Sequence, residues 1–172
     1  RILGFVYRIF LSRTIGASGL GLYQLIFPVF TLCLAISASG IQTAISRFVA
    51  SSENKTRYLF TGLSISVFLS GAFSLFIYLS APWIATVILK EPRTADLLRI
   101  MVYALVPASI HSCFNGYYYG KKESAIPSAC QIIEQLARVF GTCIIYYVLL
   151  EKGLPLEPIH AVWGLVISEV AG

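Results

Sequence analysis

Two long stretches of this chain contain no Asp, Glu, Lys or Arg, at residues 14–46 and 58–89. A helix needs about 20 mostly apolar residues to cross the hydrocarbon core of a bilayer. Each stretch is therefore long enough to span a membrane with some tilt. Further apolar runs lie at residues 100–120 and from residue 159 onward. The pattern predicts an integral membrane protein built of helices.

The apolar runs and the connectors between them predict six helices. We expect these near residues 1–14, 22–50, 58–79, 97–120, 127–150 and 159–172, with the first and last truncated. The predicted connectors are short and rich in Gly, Pro, Ser or charge, as loops are, and they lie at residues 16–21, 51–57, 90–96, 121–124 and 151–158. Short connectors favour antiparallel neighbours in one bundle, so the expected fold class is all-α.

Composition agrees with a membrane bundle and argues against several kinds of chemistry. Of the 172 residues, 57% are hydrophobic and 12% are charged. The chain has no HExxH, GxSxG or Walker-type motif, so we expect neither an enzyme nor a bound metal or cofactor. Four cysteines fall within predicted spans without a CxxC pair, which favours small core residues over zinc or redox sites: Cys33, Cys113, Cys130 and Cys143.

Basic residues do not point to nucleic acid. Lys121 and Lys122 form too short a run for a nucleic-acid patch and are more typical of an anchor beside anionic lipid. Lys and Arg near the connectors divide five against five between the two sides of the membrane. Orientation therefore stays open on charge alone.

Glu134 and Arg138 break the apolar pattern, because they lie one helical turn apart inside a predicted span. An ionised side chain at the centre of a membrane helix costs about 2.5–3.5 kcal/mol on insertion scales, so such residues usually have a partner and face the bundle interior or a watery cavity. Glu134 precedes Arg138 by four residues, the favourable order for an ion pair within one helix. The pair is either an attachment between helices or part of a transport cavity or gate.

The polar residues around this pair follow the three- and four-residue spacing of one helical face. They are Ser128, Gln131, Glu134, Gln135, Arg138 and Thr142. We expect Gln131, Glu134, Gln135 and Arg138 to line a cavity. On the fourth helix His111, Asn115 and Tyr118 line up similarly, and a lone His in such a place is more often packed or hydrogen-bonded than a ligand.

A second candidate site is a column of arginines on the first helix. Arg1 and Arg8 are seven residues apart, hence nearly eclipsed, and Arg13 follows near the helix end. A guanidinium group is a planar, permanently charged fork of donors that suits phosphate or pyrophosphate. If the helix borders a cavity, Arg1 and Arg8 are candidate anion ligands. The alternative is snorkelling to lipid headgroups.

Prolines interrupt two of the predicted spans, at Pro28 and Pro107, while Pro82 is expected where the third helix reaches the membrane interface. Interior prolines free backbone carbonyls, and in transporters they often mark a bend or a moving segment. Pro28 and Pro107 are therefore candidate gating or hinge positions, with an ordinary packing kink as the alternative.

A resemblance to a known family rests on three segments: RILGFVYRIFLSRTIGASGLGLYQLIFPVF, SGIQTAISRFVA and NGYYYGKKESAIPSACQIIEQLARVF. They look like the N-terminal half of a stage V sporulation protein B-like polysaccharide exporter. That group belongs to the multidrug/oligosaccharidyl-lipid/polysaccharide exporter (MOP) superfamily, which also holds the lipid II flippases and the MATE drug exporters. The resemblance covers nearly the whole chain.

The first helix also resembles a lipid II flippase pattern close to SRxLGFxRD. Arg1, Leu3, Gly4 and Phe5 match it, while Tyr7 stands at its second basic position. The acid that follows is replaced by an arginine, at residue 8, and the basic position of the second helix falls near residue 34, a leucine. The cavity charge is therefore distributed differently from that of lipid II flippases.

The resemblance implies a transporter whose two lobes enclose a cavity that opens alternately to each side. This chain would be part of the N-terminal lobe, with connectors 51–57 and 121–124 in the cytoplasm. The implied function is flipping or export of a lipid-linked cell-envelope glycan precursor, for polysaccharide or peptidoglycan, across the bacterial plasma membrane. Coupling to a proton gradient, a sodium gradient or the membrane potential stays open, as do protein partners. The alternatives are a MATE-type cation-coupled multidrug exporter and a non-transporting membrane scaffold.

Overall fold

The chain forms an all-α bundle in a computed structural model that describes residues 2–52, 54–151, 153 and 155–171. Within these residues there are six continuous helices. They are α1 Ile2–Thr14, α2 Gly16–Ser51, α3 Lys55–Ile88, α4 Thr94–Gly120, α5 Ala125–Glu151 and α6 Pro158–Ala171. The helices α2 to α5 are each long and apolar enough to cross a membrane. The chain is a multi-pass membrane protein.

The predicted connector at residues 16–21 is wrong, because α2 begins at Gly16 and only Ile15 separates it from α1. Gly16 has φ +79°, a left-handed conformation that glycine adopts without strain, and this turn reverses the chain. Gly19 serves packing instead of a loop, since a Cβ there would collide with the side chain of Ile15 and would lie 3.2 Å from the Pro158 ring. Gly19 therefore lets α2 approach the start of α6 instead of forming part of a loop.

The predicted second and third helices are also too short. Helix α2 starts six residues earlier than expected and contains a π turn at Ala35–Ser39. Helix α3 continues nine residues beyond the expected end, through Pro82, and closes in a π turn at Ile84–Ile88. The Thr86 hydroxyl donates to the carbonyl of Pro82 at 2.8 Å. This bond gives the carbonyl of Pro82 a partner on the exposed side of the helix end.

Helix α4 is the central element of the bundle and packs against α2, α3 and α6. Half of its most apolar stretch is buried, whereas the corresponding stretch of α5 is only 6% buried. The main core gathers large apolar side chains from several helices, among them Ile26, Ile77, Leu98, Met101 and Leu165. Helix α5 therefore lies at the edge of the described bundle, where it packs mainly on α6.

Buried hydroxyls tie α3 to its neighbours. Ser66 donates to the carbonyl of Ser37 at 3.0 Å, and the Ser70 and Ser109 hydroxyls are 2.9 Å apart. Ser74 donates to the carbonyl of Val102 at 3.2 Å. Without a hydrophobic driving force between helices in lipid, small residues and interhelical hydrogen bonds do much of the packing. The opposite face of α3 exposes large apolar side chains such as Phe68 at 77%, as a lipid-facing surface does.

Candidate functional site

A cavity of about 810 Å³ lies between α1, the first part of α2 and α5. This volume is within the range of small-molecule sites in proteins. Its polar lining includes Arg8, Gln24, Gln135 and Arg138. The remaining lining consists of Thr31 and of apolar or aromatic residues: Gly4, Tyr7, Leu20, Tyr23, Phe27, Pro28, Leu32 and Ala35. We call this space the first cavity.

Tyr7 fixes α1 against α5 at the wall of this cavity. Its hydroxyl lies 3.1 Å from the Thr142 hydroxyl, and Thr142 donates its own proton to the carbonyl of Arg138 at 2.9 Å. Tyr7 must therefore be the donor to Thr142. Both side chains are buried, and this bond sets how Arg8, the next residue of α1, lies along the cavity.

Arg138 is held by polar groups from two helices. Its Nη2 lies 2.7 Å from Oε1 of Glu134 on the same helix and 3.5 Å from Oε1 of Glu169 on α6. Its Nε donates to the Ser168 hydroxyl at 3.1 Å. The side chains of Glu134 and Arg138 are each 14% exposed, and that of Glu169 is 9% exposed. Arg138 thus connects α5 to α6 through a largely buried network.

His111 extends the network to α4. Its Nδ1 lies 3.9 Å from Oε2 of Glu134, and its side chain is 13% exposed. Among the buried side-chain polar atoms of the described residues, only Nε2 of His111 has no hydrogen-bond partner. We call His111, Glu134, Arg138 and Glu169 the charged cluster.

The charged cluster does not have the make-up of a metal site. Ligand atoms of His111, Glu134 and Glu169 lie within 4.8 Å of one another. The guanidinium of Arg138, however, already approaches both carboxylates. A metal ion would compete with this permanent charge for the same oxygens and would be repelled by it. We therefore do not assign these residues as metal ligands.

A second cavity, of about 450 Å³, lies on the other side of the charged cluster. It is formed by α4, the start of α5 and the end of α6, and His111 and Glu169 are in its wall. The other lining residues are Pro107, Ile110, Phe114, Asn115, Tyr118, Ile126, Cys130 and Val170. Arg138 lines the first cavity while its carboxylate partner Glu169 lines the second. The charged cluster therefore separates the two cavities.

Comparison with known proteins identifies the family. The sequence profile of the polysaccharide biosynthesis protein family matches residues 1–172. The chain belongs to this family. It is 31% identical over its whole length to stage V sporulation protein B of Bacillus subtilis (strain 168) and covers 34% of that protein. It is 30% identical over its whole length to lipid II flippase MurJ of the same organism and covers 35% of it.

A further relative is the uncharacterized membrane protein YabM of Bacillus subtilis (strain 168). It is 26% identical to the chain over 91% of the chain's length, and the match covers 30% of YabM. The chain thus spans about a third of the length of these curated relatives. No solved structure matches the chain. The expected resemblance to sporulation protein B-like exporters and lipid II flippases is confirmed, as is the all-α membrane fold.

The structure brings most of the predicted site residues of this family member together. Arg8, Gln135 and Arg138 line the first cavity, and Glu134 pairs with Arg138 as the spacing predicted. Gln131 lies outside the linings of both cavities and is exposed on α5. Arg1 lies outside the described residues.

The two candidate hinge prolines lie in different cavities. Pro28 is inside α2 and lines the first cavity, seven residues before the π turn at Ala35–Ser39. Pro107 is inside α4 and lines the second cavity beside His111. The face shared by His111, Asn115 and Tyr118 is the wall of that cavity.

Sequence reasoning missed Glu169, Ser168 and the role of Tyr7. The signal for Glu169 was available, because an acid within the apolar run of α6 is the same anomaly that drew attention to Glu134. The hydrogen bond between Tyr7 and Thr142 joins residues 135 positions apart, and no local sequence pattern predicts it.

Proposed function

We propose that this protein flips or exports a lipid-linked glycan precursor of the cell envelope across the bacterial plasma membrane by alternating access. The observation that carries the proposal is the first cavity, where Arg8 and Arg138 share a space of about 810 Å³ inside a membrane bundle. The comparisons support it, since lipid II flippase MurJ covers the whole chain at 30% identity.

The cavity chemistry fits an anionic headgroup. Arg8 is exposed at the cavity, and its guanidinium is free of carboxylate partners among the described residues. Guanidinium groups bind phosphate oxygens through paired, charge-assisted hydrogen bonds. Gln24 and Gln135 add amide donors to the same wall. We assign the pyrophosphate of a polyprenyl-linked glycan to this wall, with Arg8 as the main anchor.

The same wall contains the elements that could move. Pro28 and the π turn at Ala35–Ser39 both interrupt regular helix hydrogen bonding in α2 beside the cavity. Glu134 and Arg138 form a gate in this proposal, because their pair can be exchanged for a cargo anion. Pro107 is the corresponding candidate hinge in α4.

The test is a flipping assay on the full-length protein in proteoliposomes. A fluorescent saccharide linked to polyprenyl pyrophosphate is loaded, and its movement is followed with a membrane-impermeant quencher. Arg8→Gln should slow flipping by roughly 10- to 100-fold, since a hydrogen bond to a charged group contributes about 1.5–3 kcal/mol. Arg8→Lys, which keeps the charge, should retain part of the rate.

The matched control is Arg57→Gln, which changes an exposed arginine at the start of α3 and should flip at the normal rate. If Arg8→Gln also flips normally, the anchor assignment is wrong. Transport of a cationic dye in place of the glycan lipid would favour the MATE-type alternative. Movement of neither would favour the membrane scaffold.

A further inference from the structure

The charged cluster holds more negative than positive charge. Glu134 and Glu169 both approach the single guanidinium of Arg138, at 2.7 and 3.5 Å. With both carboxylates ionised and His111 neutral, the cluster carries one net negative charge. None of the four side chains in the cluster is more than 14% exposed. An uncompensated charge at such a place is costly.

Among the described residues, no cation besides Arg138 pairs with the carboxylates of the cluster. From α1, Tyr7 reaches the backbone of Arg138 through Thr142, and Arg8 lies across the first cavity. From α2, Tyr23 lines the same cavity. From α4 the facing titratable group is His111, and from α6 it is Glu169. Among the described residues, charge balance therefore needs a mobile positive charge on the carboxylates or on His111.

The second cavity offers a proton a route to the charged cluster. His111 and Glu169 lie in its wall, and its other polar lining groups are Asn115 and Tyr118. Tyr118 and Ile126 place one side of this cavity beside the α4–α5 connector, at the end of the bundle that carries Lys121. Water in this cavity can reach the cluster from the side opposite to Arg8.

We propose that His111, Glu134 and Glu169 form a proton-binding site that takes up one proton through the second cavity and competes with Arg138 for the carboxylates. The proton comes from water and binds a carboxylate oxygen, so no other bond changes. Either carboxylate alone is neutralised by Arg138. The site therefore needs both glutamates to bind its proton.

This site links proton uptake to cargo binding, a step that rests on the proposed function. A pyrophosphate that draws Arg138 into the first cavity removes a positive charge from the cluster and leaves two carboxylates unpaired. Proton uptake then offsets the lost charge. Linkage is reciprocal, so a proton bound at the cluster should in turn strengthen anion binding at Arg138.

The direct test is infrared difference spectroscopy of the full-length protein in nanodiscs, recorded between acidic and alkaline buffer. The wild type should show the carbonyl stretch of a buried protonated carboxyl group. Glu134→Gln and Glu169→Gln should each abolish this band completely, and the double variant should lose nothing more. His111→Asn should shift its titration midpoint.

The matched control is Glu123→Gln, which removes an exposed acid that pairs with Lys121 at the same end of the bundle. This variant should keep the band. A band that persists in both glutamate variants would overturn the proposal. So would a band that disappears on adding Na⁺ or Mg²⁺ at constant pH, since that would show a metal site.

The link to cargo is tested separately, with inorganic pyrophosphate as the probe and a pH dye in weakly buffered solution. Wild-type protein should take up protons as pyrophosphate binds, and the double variant Glu134→Gln/Glu169→Gln should bind it without proton uptake. Proton-free binding by the wild type would overturn the link. If pyrophosphate does not bind at all, the proposed function fails, while the infrared result alone decides the proton site.

Discussion

Replacing Gly116 with alanine should force helices α2 and α4 apart. An ideal Cβ on Gly116 would lie 2.5 Å from the backbone oxygen of Gln42 and 3.1 Å from its Cα. Carbon and carbonyl oxygen normally meet at about 3.3–3.6 Å, so the backbones must separate by roughly 0.8 Å. The neighbouring contact is equally tight, since a Cβ on Gly120 would lie 2.6 Å from the oxygen of Ser46.

The cost follows from three effects. Overpacking of a well-packed contact costs about 1–3 kcal/mol. Separation also stretches the bond that Ser112 donates to Oε1 of Gln42 at 2.8 Å, at a cost of about 1 kcal/mol. Alanine regains about 1 kcal/mol of helix propensity over glycine. We therefore expect Gly116→Ala to destabilise the protein by about 1–3 kcal/mol.

The assay is thermal unfolding of the full-length protein in detergent, followed by a dye that reacts with exposed thiols. Cys113 is fully buried and reports on the loss of this contact once the other cysteines are replaced by serine. The control is Gly71→Ala in α3, where a Cβ meets no atom within 4 Å. Gly71→Ala should melt at or above the wild-type midpoint and Gly116→Ala several degrees below. Equal midpoints for the two variants would refute the close approach of α2 and α4.

Two further predictions concern the walls of the cavities. Thr142→Val leaves the buried Tyr7 hydroxyl without its partner and should lower stability by about 1–3 kcal/mol; Tyr7→Phe in the same background should recover part of this loss, and equal stability of the single and double variants would contradict the bond. Cys130 lines the second cavity, so a water-soluble maleimide should label it in native protein while Cys113 stays unlabelled. Protection of Cys130 would show that the cavity is closed to this reagent.

Much of the architecture could be predicted from the sequence. In a bilayer, a run of about 20 uncharged apolar residues must hydrogen-bond its backbone N–H and C=O groups without water. A helix forms these bonds within its own segment. The number of helices and the ends of α4, α5 and α6 follow closely from this requirement. The spacing of Glu134 and Arg138 also predicted their ion pair, because both lie on one helix.

The start of α2 was predicted wrongly because it depends on how the helices pack against one another. Gly16, Gly19 and Gly21 look like a loop in sequence, yet Gly19 is a contact point of α2 with Ile15 and Pro158. Glycine permits both a turn and a close helix contact. Which role it takes depends on the neighbouring element, which a local pattern does not contain.

The sequence by itself determined that this protein is a helical membrane bundle with an ion pair buried in its fifth helix. Only the tertiary structure decided which groups complete that pair, since Glu169 and His111 come from α6 and α4. Their meeting point is set by how helices pack, and periodicity along one helix carries no information about it. The same packing places Arg138 between two cavities and joins it to Tyr7 through Thr142.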